Sequence, residues 1–324
     1  MKPGEAPNVV VIGASAGGVS ALQELVSALP EDLDAAILIV LHVLAEAESF
    51  LPHILARAGR LPAAHARDGE LLETGRIYVA PPDRHVLVHN SALRVVRGPK
   101  ENRHRPAIDV LFRSAAMSGG ERVLGVLLTG ADDDGAAGLK SIQERGGTTI
   151  VQDPLDAEHP EMPASALRVI EPDFRLPLRQ IGPMISSLVA GQVETKEKVV
   201  MPEPADKAFG GDEGQEVDVT SLGTPSSFSC PDCNGTLWEL QDGNLLRYRC
   251  RVGHAYSVGS MVEAQAEAVE RALWEAVRVL EESASMSRRI GIKNETLRTQ
   301  LFQKAEERQH HARTLRDLLV NKSQ

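Results

Sequence analysis

Runs of consecutive apolar residues alternate, along the first 190 residues, with segments whose apolar residues recur every three or four positions. The runs at 9–12, 35–41 and 123–128 are too apolar and too rich in β-branched residues for strands with one solvated face. They therefore predict parallel strands that helices cover on both sides. The periodic segments predict those helices. The expected helical ranges are 19–29, 50–58, 106–117, 136–145, 164–170 and 181–190.

Shorter apolar runs complete the pattern. Strands are expected at 77–80 and 148–151, and the segments 85–89 and 93–96 predict a β-hairpin. Strands that alternate with helices in this way predict an α/β fold, a doubly wound and mostly parallel sheet with flanking helices and one β-hairpin. In such sheets ligands bind beyond the carboxyl ends of the strands, so the polar residues that follow each strand are the first candidates for chemistry.

Composition and charge exclude some classes of function. The chain has 324 residues and a net charge of −10, which argues against a broad nucleic-acid-binding surface but not against a local basic patch. No apolar run approaches the roughly 18 residues that a membrane span needs, and the first residues lack the apolar core of a signal peptide. The sequence therefore predicts a cytoplasmic protein that neither inserts into a membrane nor binds nucleic acid.

A glycine-rich segment, Gly13-Ala14-Ser15-Ala16-Gly17-Gly18, follows the first strand and leads into the first helix. Its G-x-S-x-G spacing can expose a serine hydroxyl on a strand-to-helix turn. Three interpretations are open: a tight turn with an incidental serine, a nucleotide site, and a nucleophile. Ser15 stands where the nucleotide fingerprint has glycine, which weakens the second interpretation. The third requires a histidine and an acid at the same place.

Two other strand ends supply such residues. His42 follows the strand at 35–41, and the aspartates 132–134 follow the strand at 123–128. Taken alone, His42 could be a structural loop histidine, and the aspartates could form a solvated turn or a helix cap. His104 and His85 are the alternative candidates for a base. Because Ser15, His42 and the aspartates all lie just past strand ends, the positions favour catalysis.

Four motifs in register carry a family resemblance: the segment 13–18, the strand-end His42, Arg105-Pro106-Ala107-Ile108-Asp109-Val110-Leu111-Phe112, and Thr129-Gly130 with Asp134-Gly135-Ala136. Over residues 8–190 the chain resembles the catalytic domain of the chemotaxis protein-glutamate methylesterases, the CheB family. The resemblance implies a Ser-His-Asp triad that maps onto Ser15, His42 and Asp134, and no catalytic cofactor.

The resemblance also implies an activity and a partner. The expected reaction is hydrolysis of γ-glutamyl methyl esters on the cytoplasmic helices of methyl-accepting chemoreceptors, with deamidation of receptor glutamines as a second reaction. The oxyanion and substrate pocket is assigned to Ala16, Gly17, Ala131, Arg105 and Asp109. The backbone N–H groups around Ala16 and Gly17 are suited to an oxyanion because they open a helix.

The sequence departs from the family at four points. Ala131 and Asp132 replace the usual methionine and glycine, Ala16 replaces a threonine or serine, and Ala107 replaces a common serine.

The first strand begins by about residue 8, so no receiver domain is expected before it. Two further functions stay open, a non-catalytic signalling adaptor on the same scaffold and an esterase for another carboxylic ester.

The C-terminal third predicts three further parts. Residues 191–227 are acidic and rich in Pro, Gly and Ser, as in a flexible linker. In the segment 228–256, Cys-x2-Cys and Cys-x3-His pairs flank a predicted hairpin, which has the spacing of a zinc ribbon. The expected ligands of a structural zinc are Cys230, Cys233, Cys250 and His254. Unpaired buried cysteines are the alternative.

Residues 257–324 predict an amphipathic helical tail. Ser260 and Glu263 have the spacing of a capping box, and Asn294 is the expected cap of a second helix. The two helices could pair as a hairpin, mediate self-association or binding of a signalling partner, or dock on the catalytic domain, which is expected to span residues 1–190.

Overall fold

A computed structural model of the protein describes residues 8–193, 223–242 and 245–321. The chain divides into two compact units, residues 1–261 and residues 262–324. Most of the expected linker and the tip of the expected hairpin at 243–244 lie outside the described residues.

The first unit is built on a seven-stranded sheet in which all neighbouring strands are parallel. Its order is β3-β4-β2-β1-β7-β8-β9. The strands are β1 (Asn8–Ala14), β2 (Ala35–Leu41), β3 (Ala63–His65), β4 (Arg76–Val79), β7 (Val123–Leu127), β8 (Thr148–Gln152) and β9 (Phe174–Leu176).

Helices cover both faces of this sheet, as the unbroken apolar runs predict. Successive residues of a strand point to opposite faces, so Val10 and Ile12 of β1 enter one core while Val9 and Val11 enter the other. The first core includes α1 (Gly18–Ser27), α2 (Leu51–Ala58) and α6 (Leu178–Val189). The second includes α3 (Ile108–Gly119), α4 (Ala136–Glu144) and α5 (Glu161–Val169).

The expected β-hairpin is present as β5 (His85–His89) and β6 (Ala92–Val96). Val86, Val88 and Leu93 pack into the same core as α3, and the N–H of Val88 donates to Oγ of Ser114 on that helix at 3.1 Å. The hairpin therefore extends the cover on one face of the sheet.

Two edge strands were not predicted. β3 and β9 have three residues each, and their side chains are only partly buried or exposed. Their residues lack the long apolar run that identifies the central strands, because each pairs on one side only. The helices α5 and α6 each begin three residues before the predicted start. In α5 the additional residues include Pro163, which a helix tolerates in its first turn.

The segment expected to form a ribbon is a four-stranded antiparallel sheet in the order β10-β11-β12-β13. Its strands are β10 (Thr224–Ser229), β11 (Thr236–Asp242), β12 (Leu245–Cys250) and β13 (Ala255–Ser257). β10 begins inside the range assigned to the linker. We call this sheet the C-terminal sheet.

Two long helices follow, α7 (Val258–Lys293) and α8 (Arg298–Asn321). The cap of α7 is Ser257 and not Ser260, because Oγ of Ser257 accepts the N–H of Ser260 at 2.9 Å. Within the second unit, the two helices form an antiparallel hairpin. Arg316 of α8 pairs with Glu281 of α7 at 2.8 Å. Among the described residues, no helix is both long and apolar enough to cross a membrane.

Candidate active site

The carboxyl ends of three adjacent parallel strands carry Ser15, His42 and Asp134. β1 lies between β2 and β7, so the residues that follow these strands share one edge of the sheet. Ser15 directly follows β1, His42 directly follows β2, and Asp134 lies between β7 and α4. The connections that leave β1 and β7 diverge here, and ligands bind at such a switch point in open α/β sheets.

Hydrogen bonds join these three side chains in series. Nδ1 of His42 lies 3.1 Å from Oγ of Ser15, and its Nε2 lies 2.9 Å from Oδ2 of Asp134. The side chain of His42 is 6% exposed and that of Asp134 is fully buried, so water competes little for these bonds. The arrangement is that of a nucleophile, a base and an acid that orients the base.

Protonation states follow from burial and from these bonds. Burial lowers the pKa of His42 below its ordinary value, although the hydrogen bond to Asp134 opposes the shift. Burial alone would raise the pKa of Asp134, but the bond and charge of His42, with further donors, hold it well below its usual range. The ionised carboxylate fixes the His42 proton on Nε2, which leaves Nδ1 free to accept the proton of Ser15.

Backbone donors at the start of α3 hold the carboxylate of Asp134. The N–H of Ile108 donates to Oδ2 at 2.6 Å, and the N–H of Asp109 donates to Oδ1 at 3.1 Å. Oδ1 also accepts from the N–H of Gly135 at 3.1 Å and from Nδ2 of Asn102 at 2.9 Å. A carboxylate with several donors at a helix N-terminus remains ionised.

A second buried carboxyl, Asp109, lies beside Asp134. Its Oδ1 accepts the N–H groups of Gly135 and Gly138 at the start of α4, at 3.0 and 2.6 Å. Burial and the adjacent charge of Asp134 raise the pKa of Asp109 to about 6. The sequence assigned this residue to the pocket, whereas the structure buries it against the helix start and does not place it beside Ser15.

His104, an alternative candidate for the base, stacks on His42. The ring centroids are 3.5 Å apart and the ring planes differ by 8°. Nε2 of His104 lies 3.0 Å from Oδ2 of Asp132, and this bond lowers the pKa of Asp132. The pair therefore supports one face of the His42 ring.

Three of the predicted pocket residues lie next to the nucleophile in the chain or across the adjoining loop. Ala16 and Gly17 follow Ser15, and Gly17 has a φ of 73°, which favours glycine. Ala131 follows Gly130, where an added Cβ would lie 2.9 Å from Cβ of Ser15. The loop after β7 therefore passes directly against the serine.

The side chains of Arg105 and His85 form hydrogen bonds to residues outside the triad. Nε of Arg105 donates to Oδ1 of Asp83 at 2.8 Å, and its Nη1 donates to a backbone carbonyl at 2.7 Å. The structure therefore directs Arg105 to Asp83. His85, the other alternative base, is buried, and its Nε2 bonds the carbonyl of Pro99 at 2.9 Å. Burial lowers its pKa.

Sequence reasoning missed Asn102 and the partner of Asp133. Nδ2 of Asn102 donates to both Asp134 and Asp109, each at 2.9 Å. Asp133, the second of the three aspartates that follow β7, contacts Ser257, far along the chain, at 2.5 Å. Such contacts join distant segments and leave no spacing pattern. The only signal was the polar run at 101–104, directly before the motif that begins at Arg105.

The four expected metal ligands converge in the C-terminal sheet. Sγ of Cys233 lies 3.7 Å from Sγ of Cys250, and Nδ1 of His254 lies 3.6 Å from Sγ of Cys230 and 3.5 Å from Sγ of Cys250. All four ligand atoms lie within 4.8 Å of one another. Zinc–sulfur bonds of about 2.3 Å in a tetrahedron place sulfur atoms roughly 3.8 Å apart. The cluster therefore fits a tetrahedral zinc ion.

Comparison with known proteins gives one family. The family model described as CheB methylesterase matches residues 10–185. A putative protein-glutamate methylesterase/protein-glutamine glutaminase of Leptospira interrogans is 37% identical over 188 residues, which are 58% of this chain and 97% of that protein.

Two further matches cover the same part of the chain. A protein-glutamate methylesterase/protein-glutamine glutaminase of Anaeromyxobacter dehalogenans is 42% identical over 187 residues, and the chain spans only 51% of its length. The crystal structure of the Thermotoga maritima CheB methylesterase catalytic domain matches with a TM-score of 0.55 and 30% identity. The match covers 57% of this chain and 100% of that one.

Proposed function

The chain belongs to the CheB methylesterase family, and we propose that it hydrolyses γ-glutamyl methyl esters of chemoreceptors to glutamate and methanol. The observation that carries this proposal is the hydrogen-bonded series of Ser15, His42 and Asp134. The relatives named as protein-glutamate methylesterases support the ester as substrate. The substrate protein is the cytoplasmic helical region of a methyl-accepting chemoreceptor, and the enzyme acts in the cytoplasm.

In the first half-reaction, Oγ of Ser15 attacks the ester carbonyl while Nδ1 of His42 takes the hydroxyl proton. His42 then gives this proton to the departing methoxide oxygen, which leaves as methanol, and a glutamyl ester of Ser15 remains. Asp134 stabilises the imidazolium that forms and keeps the ring in place. In the second half-reaction, water gives a proton to His42 and its oxygen attacks the acyl-enzyme carbonyl. His42 then returns this proton to Oγ of Ser15 as the glutamyl–Oγ bond breaks, which releases glutamate and restores the Ser15 hydroxyl.

Negative charge develops on the carbonyl oxygen during both attacks. The N–H groups of Ser15 and Gly18 are already bonded, to the carbonyls of Thr129 and Ser15. Within the described part of the chain, the N–H groups of Ala16 and Gly17 donate to no backbone acceptor. These two groups, at the start of α1, are our candidates for the oxyanion donors, and Ala131 forms the opposite wall of the pocket.

Receptor glutamine is a second substrate of the same site. An amide carbonyl is attacked in the same way, and His42 protonates the departing nitrogen so that ammonia leaves instead of methanol. The relatives carry both activities in their names, protein-glutamate methylesterase and protein-glutamine glutaminase.

The C-terminal part of the chain has a structural and a recruiting role in this proposal. A structural zinc ion bound by Cys230, Cys233, Cys250 and His254 holds the C-terminal sheet, since four protein ligands leave no open coordination position. The helical hairpin of α7 and α8 is the surface for a signalling partner or for self-association.

A serine-directed fluorophosphonate tests the enzyme against a non-catalytic adaptor. We expect covalent labelling of wild-type protein at Ser15, located by peptide mass spectrometry, and no labelling of Ser15→Ala or His42→Ala. Ser27→Ala is the matched control, because Oγ of Ser27 donates to the carbonyl of Glu24 at 2.7 Å on the exposed surface of α1. Absence of labelling in the folded wild-type protein would reject an activated serine and favour the adaptor.

A further inference from the structure

A turn at residues 101–104 connects the candidate triad with the C-terminal sheet. Asn102 and Arg103 have φ angles of 49° and 72°, in the left-handed region that residues other than glycine rarely adopt. Such a conformation persists only where the surrounding structure holds it. The contacts that hold this turn therefore matter for the side chains it carries.

Backbone bonds attach the turn to β13. The N–H of Asn102 donates to the carbonyl of Ala255 at 2.8 Å, and the N–H of Ala255 donates to the carbonyl of Lys100 at 3.3 Å. These two bonds form a parallel β-bridge between residue 101 and residue 255. The C-terminal sheet thus continues directly into the turn.

A buried charge cluster reinforces this attachment. Glu101 is 4% exposed and pairs with Arg113 of α3. It also pairs with two arginines of β12, Arg247 at 3.6 Å and Arg249 at 3.4 Å. Burial alone would raise the pKa of Glu101, but the three guanidinium groups lower it to about 2. The carboxylate is therefore ionised and is shared by a helix of the main sheet and a strand of the C-terminal sheet.

The side-chain amide of Asn102 forms hydrogen bonds both to the residues that follow β13 and to the carboxylate of the triad. Its Oδ1 accepts the N–H of Ser257 at 3.0 Å and the hydroxyl of Ser260 at 3.3 Å. Its Nδ2 donates to Asp134 and to Asp109. The amide must therefore point its oxygen towards the two donors at residues 257 and 260 and its NH2 group towards the two carboxyl groups.

A second contact reaches the residue before Asp134. Oγ of Ser257 lies 2.5 Å from Oδ2 of Asp133. The start of α7 approaches the same oxygen, since a Cβ added at Gly259 would lie 2.7 Å from it. A helix N-terminus attracts a carboxylate, so the loop that carries Asp134 is held on this side as well.

We propose that Ser257 and Ser260 are positioning residues of the triad: the hydroxyl of Ser260 fixes the amide of Asn102, the hydroxyl of Ser257 fixes Asp133, and both contacts hold the carboxylate of Asp134 in place. This inference rests on the proposed function, but its test measures labelling of Ser15 by a fluorophosphonate and does not need the receptor substrate. It makes the first turn of α7 a functional part of the active site, although it lies more than 120 residues from Asp134 in the chain.

Removal of the two hydroxyl groups has a specific chemical consequence. Oδ1 of Asn102 keeps the backbone N–H of Ser257 but loses the hydroxyl of Ser260, and Asp133 loses the hydroxyl of Ser257. The amide and the loop that carries Asp134 are then held less firmly, and Nδ2 of Asn102 can withdraw from Asp134. A carboxylate that loses a donor becomes more basic and holds the proton of the His42 imidazolium more tightly. The midpoint of the acid limb of the activity profile then moves to higher pH, and the rate at its plateau falls. A purely structural role of the serines would lower the amount of folded protein without moving that midpoint.

The test compares full-length Ser260→Ala and Ser257→Ala/Ser260→Ala with wild type, by the rate of fluorophosphonate labelling of Ser15 between pH 5 and 9. Ser226→Ala is the matched control, since its hydroxyl bonds the carbonyl of Leu237 within the C-terminal sheet. Ser257→Thr/Ser260→Thr is the rescue variant, because threonine keeps both hydroxyl groups. Thermal unfolding reports the fraction of folded protein.

We expect the double alanine variant to label about tenfold more slowly, the effect of losing a hydrogen bond to a charged group, with its acid limb at higher pH. Ser260→Ala should show a smaller change in the same direction, and the control and rescue variants should match wild type. Wild-type rates and midpoints in folded Ser260→Ala and in the double alanine variant would overturn the proposal. Wild-type protein that labels at Ser15 but releases no methanol from methylated receptor would overturn the substrate and leave this test intact.

Discussion

At the scale of single residues, the chemistry depends on how His42 is held. Ser15 and Asp134 bond its two ring nitrogens, and His104 stacks on one ring face. Burial lowers its pKa, while the Asp134 carboxylate keeps the proton on the nitrogen that faces away from Ser15. The nitrogen that faces the serine is therefore an available base at neutral pH.

The pH dependence follows from this lowered pKa. His42 must be neutral to accept the proton of Ser15, so kcat/KM rises with pH as the imidazolium loses its proton and is level above that range. Because the pKa lies below the ordinary value of about 6.5, the midpoint of the acid limb is expected below pH 6.5. Methanol release from a methylated receptor, measured from pH 4.5 to 8.5, checks this. A midpoint above 6.5 would contradict the assignment.

Asp134→Asn should abolish most of the activity. The amide can donate to Nε2 of His42, which favours the tautomer with its proton on the nitrogen that faces Ser15. We expect kcat to fall by about 10³–10⁴-fold. Asp153→Asn is the control, since Asp153 pairs with Arg175 beyond β8 and lies outside the triad. Equal rates for both variants would remove Asp134 from the mechanism.

The three consecutive aspartates at 132–134 show which part of the candidate site could not be predicted from the sequence pattern alone. Their position after β7 predicted an acid at the correct edge of the sheet, but spacing could not separate three identical side chains. The family resemblance selected the third. In the structure, the three side chains bond in order to His104, Ser257 and His42. Those partners come from three different parts of the chain, which no local pattern predicts.

At the scale of elements, the loop between β7 and α4 determines the space around the nucleophile. Gly130 packs against Met162 and Ser15, and Asp132 has a φ of 95°.

Central strands and their helices were predicted because burial on both faces leaves long apolar runs. The edge strands β3 and β9 and the cap of α7 were not, because three-residue pairing and a serine hydroxyl leave little trace in the sequence.

Gly130→Ala tests this loop. The added methyl group would meet Met162 at 2.5 Å and Cβ of Ser15 at 2.9 Å, so the serine must shift. Misplacement of a nucleophile by about 1 Å costs roughly 100-fold, and we expect a loss of kcat of that order. Gly98→Ala is the matched control, because its methyl group would meet only His85 at an ordinary 3.5 Å. Full activity of Gly130→Ala would show that the loop does not constrain Ser15.

Cys233→Ser tests the metal proposed for the C-terminal sheet. Loss of one of four ligands should lower bound zinc from about one per chain to well below half, because structural zinc depends on the full ligand set. Metal content by elemental mass spectrometry is the measurement. Ser229→Ala, in the neighbouring strand, should retain wild-type zinc. Equal zinc in both variants, or none in wild type purified without chelator, would reject the site.

At the scale of the whole molecule, the part matched by the family and the C-terminal sheet belong to one compact unit. The spacing of cysteine and histidine predicted a ribbon behind a linker, and this segment is a four-stranded antiparallel sheet in which the four expected ligands converge. Its attachment through Glu101 and Asn102 could not be predicted, because it depends on buried charges and amides that meet only after folding. The candidate catalytic edge is therefore built from both ends of this unit.

Methanol release from a methylated chemoreceptor, by full-length wild type and by Ser15→Ala, tests the central claim most directly. The claim predicts stoichiometric methanol and new receptor glutamate with wild type, and loss of at least about 10³-fold in rate with the folded variant. Release of methanol at the wild-type rate by Ser15→Ala, or none by wild type whose Ser15 is labelled by a fluorophosphonate, would contradict it.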